Sequence, residues 1–239
     1  MVRFGLILIV GFFGFIQGLL AQVRLGEGKI IYDITYDSLP AELLSSQSYL
    51  AKDAVIYFKG NKSRTEMGVG PFGKNVTISD QSTGSYTILL NVFKKRMALH
   101  KSDSEMQEFR KSMGLDTLQS EVELTNEVKK IQGYQAKKAI IRRKTSKGIA
   151  VNEVWYTPDI QPFYVDQDPA LKKIDGMLLD FTIQQEKLKM RIRVRAVFPA
   201  PIDDSLFEVP DNYQHVTEAE LTRIMNLLLL ERNEGGAEY

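Results

Sequence analysis

From Lys29 onward, apolar and polar positions alternate with a period of two, the spacing of strands that bury one face. Ile30, Tyr32, Ile34 and Tyr36 take turns with Ile31, Asp33, Thr35 and Asp37; Ala54, Ile56 and Phe58 do so with Val55, Tyr57 and Lys59. Gly60-Asn61 supplies hairpin turn chemistry into a strand over 63–67. Further strands are predicted over 75–79, 86–92 and 96–100. The second half repeats the scheme with 122–128, a turn at Gln132-Gly133, 134–144, a turn at Ser146-Lys147-Gly148, and 149–156. A long hairpin of 178–184 with 187–198 completes it. Hairpin following hairpin makes an antiparallel meander, because parallel strands need a crossover of a dozen or more residues between them.

Helical spacing is scarce. A short helix is predicted within 40–51, and a better one over 103–113, with Met106, Phe109 and Met113 along one side and Gly114 behind it. A third spans about 218–232, entered through Thr217 with Glu220 three residues on, a capping-box pattern. Its stripe of Leu221, Ile224, Met225, Leu228 and Leu229 requires a surface to pack on. The fold class is therefore mainly β (α+β), an antiparallel sheet with a few helices and a C-terminal helix. One-sided strands outnumber the helices available to cover them. Tyr32, Ile34, Ile88, Leu90, Phe181, Ile183, Met190, Ile192 and Val194 are accordingly expected to face inward around an apolar, lipid-like ligand.

The start of the chain reads differently. Arg3, an acid-free apolar run over 4–20 and then the small Ala21 before Gln22 follow the order of a secretory signal peptide. A run of this length just suffices for an uncleaved membrane anchor, but four glycines interrupt it and polar sequence begins at once, which favours cleavage after Ala21. The expected organisation is a signal peptide over 1–21, a single antiparallel-sheet domain over 22–232 and a frayed tail over 233–239. The expected location is periplasmic or otherwise extracytoplasmic, with no stable membrane span after cleavage.

Charge and cysteine content narrow the function. Lys and Arg number 31 and Asp and Glu 30, and loss of Arg3 with the signal leaves the remainder formally neutral. That balance weighs against nucleic acid, whose phosphates call for a concentrated cationic surplus. The chain has no Cys, so it has no thiol nucleophile, thiolate metal site or lipid attachment at a Cys behind the signal.

Four stretches carry candidate chemistry. Gly68-Val69-Gly70-Pro71-Phe72-Gly73-Lys74-Asn75 imitates a phosphate-cradling loop, but strand-like Val76-Thr77-Ile78-Ser79 follows where a helix is needed, and Asn75 stands where Ser or Thr would hold magnesium. Lys187, Lys189, Arg191, Arg193 and Arg195 alternate with Leu188, Met190, Ile192 and Val194, so all five cations share one strand face. That stripe would suit anionic head groups or an acidic partner; balanced charge favours instead a solvated face paired with carboxylates such as Glu121, Glu123, Glu127 and Asp180. His100 and His215 have no metal-ligand spacing, and Asp203-Asp204 reads as a cap or turn rather than a catalytic pair. No nucleophile elbow is present. No catalytic residue, metal or cofactor is assigned, and the chain is expected not to be an enzyme.

Four motifs together resemble a known family: Gly133-Tyr134-Gln135-Ala136-Lys137-Lys138; Glu153-Val154-Trp155-Tyr156-Thr157-Pro158-Asp159-Ile160; Ile174-Asp175-Gly176-Met177-Leu178-Leu179-Asp180-Phe181; and Ile202-Asp203-Asp204-Ser205-Leu206-Phe207-Glu208-Val209-Pro210-Asp211-Asn212-Tyr213. Their order is similar to that of the bacterial exported proteins grouped as domain of unknown function 4412 and the related GLPGLI proteins, although Gly176-Met177-Leu178-Leu179 departs from the glycine- and proline-rich GLPGLI form. The resemblance implies a LolA/LolB-like half-barrel, a curved antiparallel sheet with helices and an apolar cavity on its concave side. It implies no activity. On packing grounds, Trp155 and Tyr156 point to opposite faces of one strand, and Leu206, Phe207 and Val209 form an apolar plug ahead of the capped helix. Two functions follow as expectations: a non-enzymatic carrier of a hydrophobic ligand, or a structural module of the cell envelope that binds another envelope protein.

Overall fold

A computed structural model describes residues 24–68, 73–92, 95–112, 120–145, 148–163, 170–185 and 187–235. The signal peptide expected over 1–21 lies outside the described residues, as do 69–72 of the glycine-rich loop and the last residues of the tail.

The alternating segments form twelve strands. In chain order they are β1 (Glu27–Ser38), β2 (Asp53–Lys59), β3 (Lys62–Gly68), β4 (Lys74–Asp80), β5 (Ser85–Val92) and β6 (Lys95–Lys101), then β7 (Ser120–Ile131), β8 (Tyr134–Thr145), β9 (Gly148–Thr157), β10 (Met177–Gln185), β11 (Leu188–Phe198) and β12 (Gln214–Val216). Three α-helices accompany them, α1 (Ala41–Leu44), α2 (Asp103–Ser112) and α3 (Glu218–Gly235). All the strands join one curved, unclosed sheet in the order β12-β6-β5-β4-β3-β2-β1-β11-β10-β9-β8-β7.

Two hairpin meanders, β1 to β6 and β7 to β11, meet where β1 pairs with β11 across some of the longest sequence separations in the fold. Turn chemistry sets the hairpins locally. Gln132 and Gly133 both have positive φ, 48° and 84°, as the two-residue connection between β7 and β8 requires. Gly176 is fixed by a close approach: a Cβ there would collide with the Thr157 carbonyl.

Two expectations change. The sheet is not wholly antiparallel, because β12 pairs in parallel with β6 after a long return of the chain. α3 continues to Gly235, so the first part of the expected tail is helical. Of the α3 stripe, Leu221 and Ile224 are half-buried, while Leu227, on another side, is 54% exposed. The capping box itself forms, with the Glu220 carboxylate accepting from Thr217 N at 2.8 Å and Thr217 Oγ1 accepting from Glu220 N at 3.2 Å. Among the described residues no helix is long and apolar enough to cross a membrane.

Alternation gives the sheet two chemically distinct faces, named here for Tyr32 and Asp180. On the Tyr32 face, Ile30, Tyr32, Ile34, Phe58, Met177, Leu179 and Val194 form the main core. The β9–β10 connection closes one end of this face: Phe163 stacks on Phe58 at 5.0 Å, and Ala170 and Ile174 pack on Ala139, Ile141, Val154 and Tyr156. Each large apolar side chain buried this way contributes about 1.5–3 kcal/mol.

A second apolar cluster lies on the opposite face of the other wing. Val76, Ile78, Leu89 and Ala98 are covered there by Ile202 and Phe207, with Leu206, Val209 and Tyr213 around them. The expected plug is thus real, but it seals the Asp180 face. Lys59 Nζ donates to the Ile202 carbonyl at 3.2 Å and Arg64 to the Leu206 carbonyl at 3.2 Å, which pins the segment down. Asp203 accepts from Ser205 N at 2.9 Å, the capping role expected for the Asp203-Asp204 pair.

Candidate functional site: an apolar wall on the Tyr32 face

The registers place all nine of the singled-out residues on one face. Tyr32 opposes Val194, Ile34 opposes Ile192, and β10 continues the row with Phe181 opposite Ile192 and Ile183 opposite Met190. In the other direction Tyr32 opposes Ala54, Ala54 opposes Met67, Thr65 opposes Thr77, and Thr77 opposes Ile88, with Leu90 two residues on. Alternation in each strand therefore carries one face from β10 to β5.

Burial along this face falls off in one direction. On β1 exposure rises from 0% at Ile30 through 3% at Tyr32 and 7% at Ile34 to a half-buried Tyr36. β11 runs from buried Val194 to half-buried Ile192 and Met190, and β10 from buried Leu179 to half-buried Phe181 and Ile183. Three adjacent strands thus open toward the same end, away from the β9–β10 connection. Part of that end is covered by the 39–52 segment, to which Tyr36 donates a hydrogen bond at the Ala51 carbonyl, 2.9 Å.

Ile88 and Leu90 are also half-buried, whereas Leu89 between them is only 1% exposed and belongs to the opposite cluster. At β5, then, the deepest packing is on the Asp180 face, behind the side that carries Ile88 and Leu90. The physical reason is the covering segment over 202–213, which supplies apolar surface to that face.

The wall is electrostatically quiet. From β10 through β11, β1, β2, β3, β4 and β5, the Tyr32 face carries no Asp, Glu, Lys, Arg or His among the described strand residues. At the centre of the sheet the buried Tyr32 hydroxyl donates to the Leu178 carbonyl at 2.8 Å, and burial pushes the phenol well above its ordinary pKa. Tyr32 and Phe181 meet edge to face with ring centroids 6.5 Å apart.

Sequence reasoning missed the polar part of this face. Ser63 and Thr65 on β3 and Asn75, Thr77 and Ser79 on β4 line the same side, between the β2 and β5 apolar positions. The signal was present in the alternation of Lys62, Arg64 and Glu66 with Ser63, Thr65 and Met67. With Ser63 and Thr65 beside Met67, the inward set there is mostly hydroxylic, so the alternation does not read as an apolar face.

The Asp180 face takes the cations. Arg191 forks onto Asp180 with two bonds of 2.9 Å, Arg193 lies 3.4 Å and Lys129 3.7 Å from the same carboxylate, and Asp180 is only 4% exposed. Burial alone pushes the Asp180 carboxyl up; the Arg191 fork, with Arg193 and Lys129, outweighs that and holds it below the usual carboxylate range. Lys189 pairs with Asp37 at 3.1 Å and Arg195 with Asp33 at 3.0 Å. From Lys189 to Arg195 the cationic stripe is thus a paired, solvated face. Its partners are chiefly aspartates of neighbouring strands, while Glu123 and Glu127 bind Arg142 and Lys138 instead.

Other candidates resolve locally. Lys74 opens strand β4, so no helix follows the glycine-rich loop to face a phosphate. His100 Nδ1 hydrogen-bonds with Thr87 Oγ1 at 3.0 Å, and exposed His215 lies opposite Ala98. No group of His, Asp and Glu suited to a metal occurs among the described residues. Trp155 and Tyr156 do face opposite ways: Tyr156 is buried in the core, while Trp155 carries Lys129 over its ring at 3.9 Å. Two open depressions, of about 520 and 810 Å³, are lined by described residues of α3 and of the Arg24–Glu27 end; neither takes a wall from the nine.

No family model matches the chain. No curated protein matches it either. Similar solved structures include the lipoprotein LppX of Mycobacterium tuberculosis, at 12% identity over 74% of this chain and 90% of that one, with a TM-score of 0.40. LprF from Mycobacterium bovis is 11% identical over 81% of this chain and 92% of its own, TM-score 0.35. A beta-barrel-like protein of domain of unknown function 1849 from Brucella abortus is 12% identical over 75% of this chain and all of its own (100%), TM-score 0.33. At these scores the likeness says nothing about a ligand.

Proposed function

We propose that this chain is a non-enzymatic, extracytoplasmic binding protein that holds an apolar, lipid-like molecule against the Tyr32 face. One observation carries the reading: a charge-free wall on which burial falls off along β1, β11 and β10 toward a common end, leaving Phe181, Ile183, Met190 and Ile192 half-buried. A monomer whose only need was a core would cover these side chains, whereas a carrier leaves them for its guest to desolvate. The signal-peptide pattern of 1–21 supports delivery across a membrane. Native mass spectrometry and organic extraction of protein purified from the envelope of its own cells test this. Expected are apolar adducts that vanish in Ile192→Asp while the variant keeps its fold; a mass equal to the bare polypeptide and an empty extract would defeat the proposal.

A specific feature favours a second reading, an envelope protein as partner. β7 is a sheet edge, and Leu124 and Val128 on it are 56% and 54% exposed. Exposed edges of this kind accept a partner strand. In-cell cross-linking from position 124 that yields one dominant protein adduct would support it, and scattered adducts would count against it.

A further inference from the structure

We propose that the hydroxyl strip of β3 and β4 is a head-group subsite, and that the ligand is an uncharged lipid bearing hydroxyl groups, such as an acylglycerol or an alkyl glycoside. The inference rests on the binding function proposed above and adds the chemistry of the ligand's polar end.

The strip interrupts the apolar wall at one place. On the Tyr32 face β2 presents Ile56 and β5 presents Ile88 and Leu90; between them β3 presents Thr65 and Met67 and β4 presents Asn75, opposite Met67, and Thr77, all half-buried. The closed end of the strip is self-satisfied, with Ser63 and Ser79 buried and bonded to each other at 2.7 Å. Toward the open end, Thr77 Oγ1 and the Tyr86 hydroxyl lie 3.4 Å apart, a long contact that leaves capacity on both oxygens. Asn75 Oδ1 is sealed from solvent and has no hydrogen-bond partner. An amide oxygen so placed lacks a donor, and buried polar groups are nearly always paired. What is missing is an O–H or N–H, which a hydroxylated head group supplies once the half-buried Asn75 amide turns its oxygen toward the strip.

Charge decides against an ionised head. The face has no cation from β10 to β5; its strand cations begin at β6, with exposed Lys95 opposite Val92, beyond the end of the strip, and Lys101 engaged by Glu218 at 2.8 Å. A phosphate or carboxylate buried on this strip would lose its hydration with no counter-charge, which costs far more than burying a hydrogen-bonded hydroxyl. The cations of β11 cannot serve, because alternation puts them on the opposite face, paired with Asp180, Asp37 and Asp33.

The test is displacement of a fluorescent apolar probe from the purified, delipidated protein by three ligands of equal chain length: a monoacylglycerol, the free fatty acid and the lysophosphatidate. The monoacylglycerol is expected to bind about tenfold or more tightly than either anion, the size of one well-made buried hydrogen bond. Thr77→Val and Asn75→Leu are each expected to bring that ratio down several-fold. Thr77→Val conserves shape and keeps the test open should Asn75→Leu fail to fold. Equal binding of all three, tightest binding of the lysophosphatidate, or ratios unmoved in folded variants would overturn the head-group assignment while probe binding still upheld carriage. Failure of the probe itself to bind would overturn carriage and this inference with it.

Discussion

The centre of the sheet and its β4–β6 wing solve the same burial problem in opposite directions. At the centre, β1, β10 and β11 bury the Tyr32 face and give the Asp180 face to an ion-pair network. In the wing, β4, β5 and β6 bury Leu89, Ala98, Val76 and Ile78 on the Asp180 face, under the returning segment with Ile202 and Phe207. The half-buried Ile88 and Leu90 are left on the Tyr32 side. A single strand pattern therefore does not reveal which face is deep. Where β4 and β5 are sealed from behind, Ile88 and Leu90 on the front stay half-buried, while next to them on β6 Met97 and Leu99 are buried on that same front.

Breaking the centre has the largest expected effect. Phe58 is fully buried and stacked on Phe163, so Phe58→Ala is expected to cost about 3–5 kcal/mol, read as a lower urea midpoint with the slope unchanged. A loss below about 1 kcal/mol would mean that the Tyr32-face core does not hold the centre together. Phe207→Ala attacks the wing from the other side. Its ring is 9% exposed and sits in a terminal covering segment, so about 2–3 kcal/mol is expected. The sharper readout is hydrogen exchange: amides of β4, β5 and β6 should lose protection while those of β10 and β11 keep it. Equal loss across the sheet would show that the two regions are one cooperative unit.

The smallest effect, and the most diagnostic, is at Asp180. Asp180→Asn frees Arg191 from its fork, and since that guanidinium is still partly in water the expected cost at pH 7 is about 1–2 kcal/mol. The folded carboxyl titrates below its unfolded value, so its contribution is complete above about pH 4 and fades as pH falls through the folded value. Wild type and variant should accordingly converge in acid. A gap that persisted unchanged to pH 2 would assign the effect to packing rather than charge.

Much of this was legible from the order of residues. The hairpin turns at Gly60-Asn61 and Gln132-Gly133, the one-sided strands and the Thr217 capping box follow from local chemistry and recur in the structure. The nine inward residues fall on one face because a period of two fixes sidedness within each strand, and hairpins carry it to the next. The hydroxyl strip was harder to see, since Ser63, Thr65 and Thr77 signal neither core nor charge. Asp37, Asp33 and Asp53 as partners of the cationic strand were out of reach, because they lie on segments about 140 to 160 residues away that only the β1–β11 pairing brings alongside.

The sequence by itself determined a hairpin-built sheet and which side chains share a side, because alternation and turn preference act over a few residues. The tertiary structure decided which side is deep at each strand, where the charges find partners and where the wall stays open. Those outcomes depend on which distant segment comes to cover each face: the β9–β10 connection on one, and residues 202–213 on the other.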